Sequence, residues 1–505
     1  MTLSQVVIWS FLRSLILATL ALGPAAVISA WLHRRSIRIR RWGLFIVLVP
    51  VLMPELLMGF TARVPAAELL RNRWATEVFY GVLLLFRAVA IGSSVQVWME
   101  SASVSREAEH SWTLLRPRMS TVRWVIGWLR LRCEGRWRGP LVAWSLMVLL
   151  SFQEFETAAL MQLSEYPVSW SVSLFDAHAT RQPVSDSLRM TILPIICQLI
   201  VLVPCLFLLR RGFAVGPRQA GGFLHQNPTE KRELNGSGSL RKFVKPAWAG
   251  VLAVIWLAAS GLIFVFWPLF SSSSELIQSL LSVSQQPGML AQPVQQILTS
   301  AGFSAAAALL AYCVSSLLIE SHRTIAAVAV LLPGLAGPLV TSLILLALFQ
   351  LPGLHWMYDT WLPMLLGLTI AVLPKAWLIT ALLKSRRDDT GIHSAQLLCA
   401  SDDQGVRMTG RQLLWKLKYA GWCFGGLLIC HWCFWDVTTA SILRPLRTEP
   451  VVTRLYNEMH YGRTETLTLM AALSLILPIA TGLFLIMLSR ILTTNRQRTQ
   501  ETSNA

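Results

Sequence analysis

Apolar runs of about 20 residues recur along the whole chain, each long enough to cross the hydrocarbon core of a bilayer as a helix. A backbone crossing lipid must satisfy its own hydrogen bonds, as a helix does within each segment. Spans are expected near 7–32, 43–61, 76–98, 139–161, 189–209, 247–269, 301–318, 324–350, 360–383, 419–441 and 466–489. Composition agrees. Apolar residues make up 54% of the chain and charged residues 14%, against about 25% charged in an ordinary soluble domain. The 21 tryptophans suit rings held at a membrane–water boundary. The expected fold class is an all-α polytopic membrane protein with about eleven transmembrane helices.

A net charge of +18 would suit nucleic-acid binding, but its distribution points elsewhere. With the loop 33–42 placed in the cytoplasm, alternation assigns every other loop, and cytoplasmic segments then carry 32 of the 44 Lys and Arg. Outside segments carry 8 and the spans 4. This bias orients the chain in a cytoplasmic (inner) membrane with its N-terminus outside and its C-terminus inside. Nucleic acid is excluded as a partner; the lipid bilayer is the expected one.

The eight cysteines do not form a disulfide framework, since most lie in apolar spans. Cys430 and Cys433 share a helix face around His431, but two thiols and one imidazole inside a span make a poor metal site, so no metal or cofactor is expected. The first apolar run is followed, not preceded, by its basic stretch and is expected to remain as an anchor. The sequence contains no Gly-x-x-x-x-Gly-Lys-Ser/Thr phosphate loop, hydrolase elbow, zinc-binding His-Glu-x-x-His helix or dinucleotide loop. The chain is not expected to be an enzyme, and any ATP hydrolysis would belong to a separate subunit.

Short stretches recur at offsets of 279 to 282 residues. Phe152-Gln153-Glu154-Phe155-Glu156-Thr157-Ala158 aligns with Phe434-Trp435-Asp436-Val437-Thr438-Thr439-Ala440, Leu174-Phe175-Asp176 with Leu455-Tyr456-Asn457, and Val51-Leu52-Met53-Pro54 with Val330-Leu331-Leu332-Pro333. Each half runs through a span, a Pro-bearing span, a third span, a long basic loop (99–138, 384–418), a span with an internal acid, an outside loop and a final span. Equal orientation makes this a parallel repeat. The expected division is a first repeat of five spans at 1–213, a cytoplasmic linker at 214–246, a second repeat of six spans at 247–490, and a tail at 491–505. The span 247–269 has no counterpart in the first half. Two like halves form an interface at mid-bilayer, where transporters place their pathways.

On these residues the chain resembles the permease subunits of binding-protein-dependent ATP-binding-cassette importers, of the fused two-repeat type that includes ferric-iron, thiamine and polyamine permeases. Glu107-Ala108-Glu109-His110-Ser111-Trp112-Thr113 and His393-Ser394-Ala395-Gln396-Leu397-Leu398-Cys399 stand where that family carries its Glu-Ala-Ala…Gly coupling loop. Both are degenerate: Glu107, Ala108 and Ala395 keep the pattern, whereas His393, Thr113 and Cys399 depart from it. Asp436-Val437-Thr438-Thr439-Ala440 with Arg454-Leu455-Tyr456-Asn457-Glu458-Met459-His460-Tyr461-Gly462 is similar to the downstream signature of the ferric-iron type. The resemblance implies a type I importer permease fold, an ATP-binding subunit dimer docked on the cytoplasmic loops, and an extracytoplasmic solute-binding protein delivering a small substrate, with ferric iron the best guess. An ion-coupled secondary transporter and a non-transporting permease-like scaffold are the rival readings.

Charges inside spans are the sharpest local signal. Glu154, Glu156 and Asp436 lie in equivalent spans, and Arg87 and Lys375 in the third span of each half. Such groups line a polar pathway or pair with one another, for example Arg87 with Glu154 and Lys375 with Asp436. Pro54, Pro333 and Pro374 are expected to kink their spans. The arginines of 99–138 either dock an acidic partner or serve as orientation charge.

Overall fold

The computed structural model describes residues 2–69, 72–99, 106–114, 120–135, 137–162, 166–180, 183–213, 246–271, 273–274, 277–278, 281, 291–321, 324–385, 389–460 and 467–476. Regular structure among them is entirely helical. The chain divides into two compact units, Met1–Ser272 and Ser273–Ala505.

The first unit begins with α1 (Leu3–His33), α2 (Ile37–Leu52), α3 (Glu55–Glu68) and α4 (Arg73–Trp98). A helical pair follows, α5 (Arg106–Leu114) and α6 (Thr121–Glu134), then α7 (Arg138–Phe152) and the short α8 (Glu156–Met161). α9 (Trp170–Ala179), α10 (Val184–Phe213), α11 (Pro246–Gly261) and α12 (Trp267–Ser271) complete it, the last two joined by π-turns at Leu262–Phe266. Local chemistry sets several starts. The Asn72 side chain accepts from Trp74 N at 3.1 Å to cap α4, and Pro54 opens α3 after breaking the run from α2.

The second unit repeats the series. α13 (Ala291–Glu320) corresponds to α1, and the broken pair α14 (Thr324–Leu335) and α15 (Pro338–Phe349) to α2 and α3. α16 (Leu362–Ser385) corresponds to α4, and α17 (Asp389–Cys399) with α18 (Gln404–Leu414) to α5 and α6. α19 (Ala420–Phe434), α20 (Val437–Leu443) and α21 (Val451–His460) correspond to α7, α8 and α9. Packing repeats as well: α1, α4 and α7 pack mutually, and so do α13, α16 and α19. α3 packs on α8 as α15 packs on α20.

Six described helices are long and apolar enough to span a membrane, and nine spans result if three bent pairs each count as one. This is the architecture of a polytopic helical membrane protein, with fewer unbroken spans than the eleven expected. The expected spans at 43–61 and 324–350 bend by 71° and 111° at their breaks. The expected span 139–161 is split at 153–155 between α7 and α8, and only 467–476 of the last span lies within the described residues. The span at 247–269, counted with the second repeat, packs as α11 on α1 and α2 of the first unit. There Trp256 stacks on Phe86 at 4.4 Å and Phe264 is fully buried beside it.

Glycines permit the close approaches in both three-helix cores. A Cβ at Gly92 of α4 would stand 2.8 Å from Met147 Sδ of α7 and 3.1 Å from Ala25 of α1. One at Gly425 of α19 would stand 2.6 Å from Tyr312 Oη of α13. The tightest approach to another backbone atom among the described glycines is at Gly334. Pro374 has no N–H for the carbonyl of Ile370 four residues earlier, and Gly334 of α14 lies against that carbonyl: a Cβ there would stand 2.1 Å from the oxygen. Gly334→Ala is therefore expected to lower stability by about 1–3 kcal/mol, as overpacking does. Gly302→Ala, whose Cβ meets open space, is expected to be neutral or slightly stabilising. Thermal unfolding of the two purified variants checks the contrast.

Candidate functional site

The breaks in the two corresponding helices concentrate the buried polar chemistry. α7 ends at Phe152, and the chain passes through Gln153, Glu154 and Phe155 before α8 starts at Glu156. The first amides of α8 have no intrahelical carbonyl to bond. Glu154, 3% exposed, accepts from Thr157 N at 2.5 Å, so it serves as a side-chain cap inside the protein. Its other oxygen accepts from the Tyr80 hydroxyl of α4. In the second unit α19 ends at Phe434, and Asp436 accepts from Thr439 N at 3.0 Å and Thr439 Oγ1 at 2.8 Å. Acid and capped threonine are both 282 residues apart, 154 to 436 and 157 to 439. Glu156 opens α8 and accepts from Leu56 N at 3.1 Å, satisfying an amide in the first turn of α3.

A larger network surrounds this break in the first unit. Arg13 of α1 pairs with Glu77 of α4 at 2.5 Å, with side chains only 9% and 7% exposed. Arg13 also donates to the carbonyl of Val168 at 2.7 Å, and Glu77 accepts from Val168 N at 3.1 Å and Trp9 Nε1 at 2.9 Å. The pair thus clamps the segment between α8 and α9 to α1 and α4. The Arg13 guanidinium lies 4.7 Å from the Tyr80 ring centroid, which joins this clamp to Glu154. Arg87 of α4 pairs with Glu55 of α3 at 2.5 Å.

Arg87 and Glu154, and Lys375 and Asp436, expected from sequence as pairs, each make other direct contacts. The break at Pro54 turns α3 so that Glu55 meets Arg87, while both oxygens of Glu154 are taken by Tyr80 and Thr157. Lys375 stands 5.3 Å from the Trp432 ring in a cation–π contact, and Asp436 caps α20. Arg13, Glu55, Glu77 and Tyr80 were not singled out from sequence. The available signal was Arg13 and Glu77 standing at the same end of two spans, 64 residues apart.

The coupling-loop candidates fall on the two helical pairs. Glu107 and Ala108 lie in α5, with side chains outside the described residues. Thr113, near the end of α5, is exposed and donates to His110 O at 2.6 Å. His393 of α17 is exposed. Ala395 is fully buried, and Cys399 ends α17 as a half-buried free thiol. Each hairpin closes on a glycine of its second helix, 283 residues apart. At Gly127 a Cβ would stand 2.1 Å from the Trp112 ring, and at Gly410 2.6 Å from Cys399 N. Trp112 and Trp124 each donate an indole N–H to the other's carbonyl, at 3.4 and 3.1 Å.

No cluster of three or more His, Cys, Asp or Glu suited to holding a metal occurs among the described residues. No family model, no curated protein and no solved structure matches the chain.

The buried Arg13–Glu77 pair is expected to be structural for the first unit. Arg13→Ala leaves Glu77 buried without its cation and is expected to cost about 3–5 kcal/mol. Arg87→Ala is expected to cost less, because Glu55, 31% exposed, is less enclosed than Glu77 at 7%. Chemical unfolding of both purified variants measures the difference; equal costs would contradict this ranking.

Proposed function

We propose that this chain is the permease component of an ATP-binding-cassette importer, with both transmembrane halves fused in one polypeptide. The observation that carries this reading is the matched pair of helical hairpins, α5–α6 and α17–α18. Each follows the fourth helix of its series, α4 or α16, precedes the broken helix, and closes on a glycine at the equivalent position, Gly127 and Gly410. A helical pair repeated at the same place in both halves, on loops that the charge bias assigns to the cytoplasm, suits a docking element for a symmetric ATPase dimer. The duplicated three-helix core supports alternating access through rocking of two like bodies. Ferric iron is the proposed substrate, by the resemblance of the segments around Asp436 and Arg454–Gly462. A solute-binding protein would deliver it on the outer side, at the loops near 162–188 and 442–465.

A second reading has its own support. The network Arg13–Glu77–Tyr80–Glu154 provides buried ionisable groups of the kind ion-coupled transporters use. In that case transport would follow an ion gradient and need no ATPase.

The test is to purify the full chain from its native membrane and reconstitute it in vesicles. The importer reading expects an ATP-binding subunit to co-purify, a cysteine at position 393 to cross-link to it, and ferric-iron uptake to require ATP. His393→Glu with Leu397→Asp, both exposed in α17, is expected to weaken docking roughly tenfold, about 1.4 kcal/mol. Uptake that follows a proton gradient without ATP, and is lost in Glu154→Gln, would establish the second reading instead.

A further inference from the structure

Helix α6 carries an apolar stripe that no described part of the chain covers. Val122, Val125, Ile126 and Leu129 are 68%, 39%, 60% and 41% exposed. At 3.6 residues per turn they fall within an arc of roughly 100°. The opposite face is occupied. Gly127 seats the Trp112 ring, and the paired indole hydrogen bonds of Trp112 and Trp124 hold α5 there. Arg132 lies on the Trp128 ring at 5.3 Å, and Trp128 meets Trp137 edge-on at 5.6 Å. Arg123 and Arg130, both exposed, stand seven residues apart on one flank of the stripe. The one acid in the helix, Glu134, is its last residue.

The position of α6 completes the pattern. It packs against α7, which starts four residues after α6 ends, and against α10. Arg138, the first residue of α7, donates to Leu208 O near the end of α10 at 3.0 Å. α6 therefore sits where the spans of this unit begin and end. An apolar stripe, a cationic flank and α5 packed on the opposite face describe a helix lying in the plane of a membrane surface. A cationic flank without acids favours anionic headgroups.

We propose that α6 is an in-plane membrane helix, with Val122, Val125, Ile126 and Leu129 among the acyl chains and Arg123 and Arg130 on the headgroups of anionic phospholipid. This does not depend on what the chain transports. It also sets the α5–α6 hairpin on the lipid, so that α5 faces the cytoplasm from a fixed height.

The test uses the full-length chain with its eight native cysteines replaced by alanine. Single cysteines at 122, 126, 129 and 113 are labelled with an environment-sensitive fluorophore. The labelled proteins are reconstituted in vesicles of phosphatidylcholine with phosphatidylglycerol, and a gel-filtration peak matching the parent admits each variant. Bromine-bearing lipids are expected to quench labels at 122, 126 and 129 several-fold more than the label at 113 on α5. Aqueous iodide is expected to show the reverse order. Omitting phosphatidylglycerol, or introducing Arg123→Gln with Arg130→Gln, is expected to reduce lipid quenching at 126 without changing it at position 252, on the exposed face of the span α11. Iodide-dominated quenching at 126 overturns the proposal. So does protection of 126 that appears only when a soluble protein partner is added, which would mark a protein-docking face. Lipid quenching that is indifferent to phosphatidylglycerol and to both arginines overturns the assignment to anionic headgroups.

Discussion

When a helix breaks inside an apolar layer, its restart exposes amide groups that neither water nor lipid can satisfy. Each such group costs several kcal/mol if left alone. This chain breaks the corresponding helix in both halves and answers the cost in the same way, with a carboxylate three residues before the amide it receives. Glu154 holds Thr157 and Asp436 holds Thr439. Much of the remaining architecture follows from these restarts. The short helices α8 and α20 start at these caps, and α3 and α15 pack onto them. The packing is close: a Cβ at Gly59 would stand 3.0 Å from Thr157 Cα, and one at Gly367 of α16 2.7 Å from Thr439 Cγ2.

The two halves share this device but not their charges. In the first unit the capping acid belongs to a network that continues through Tyr80 to Arg13 and Glu77 and holds the segment leading into α9. The second unit attaches the start of its corresponding helix more simply, with Ser300 accepting from Val451 N at 2.8 Å and Gln296 from Arg454 at 3.0 Å. The first unit retains the same simple contact, Ser10 accepting from Trp170 N at 3.2 Å, and adds the ion pair.

Six spans were legible because an unbroken apolar run of 20 residues has few fates other than a membrane helix. The broken spans were less legible, since hydropathy summed over a window does not register a turn of 71° or 111°. Pro54 does mark one break, as expected. Pro333 lies inside α14, and its carbonyl accepts from Thr341 Oγ1 at 2.6 Å across the bend. The second break instead falls at Gly337, whose φ of 101° suits glycine, followed by Pro338 in the first turn of α15. The capping acids stood out as charges in apolar surroundings, but their role did not, because a cap is a local hydrogen bond and composition suggested ion pairs. The direct ion pairs of Arg13 with Glu77 and Arg87 with Glu55 join different helices and needed the packing to be seen. The placement of α11 on the first unit rests on aromatic contacts of Trp256 and Phe264 with Phe86, which sequence order does not encode.

The central claim is that one buried carboxylate in each half sustains the restart of a broken membrane helix. Amide hydrogen exchange on the purified chain, with Glu154→Ala and Asp436→Ala measured beside the parent, tests it most directly. The account predicts exchange at least about tenfold faster, the equivalent of ~1.4 kcal/mol of local stability, in 156–161 for the first variant and in 437–443 for the second. Each effect should stay within its own half. Unchanged protection of both short helices would contradict it.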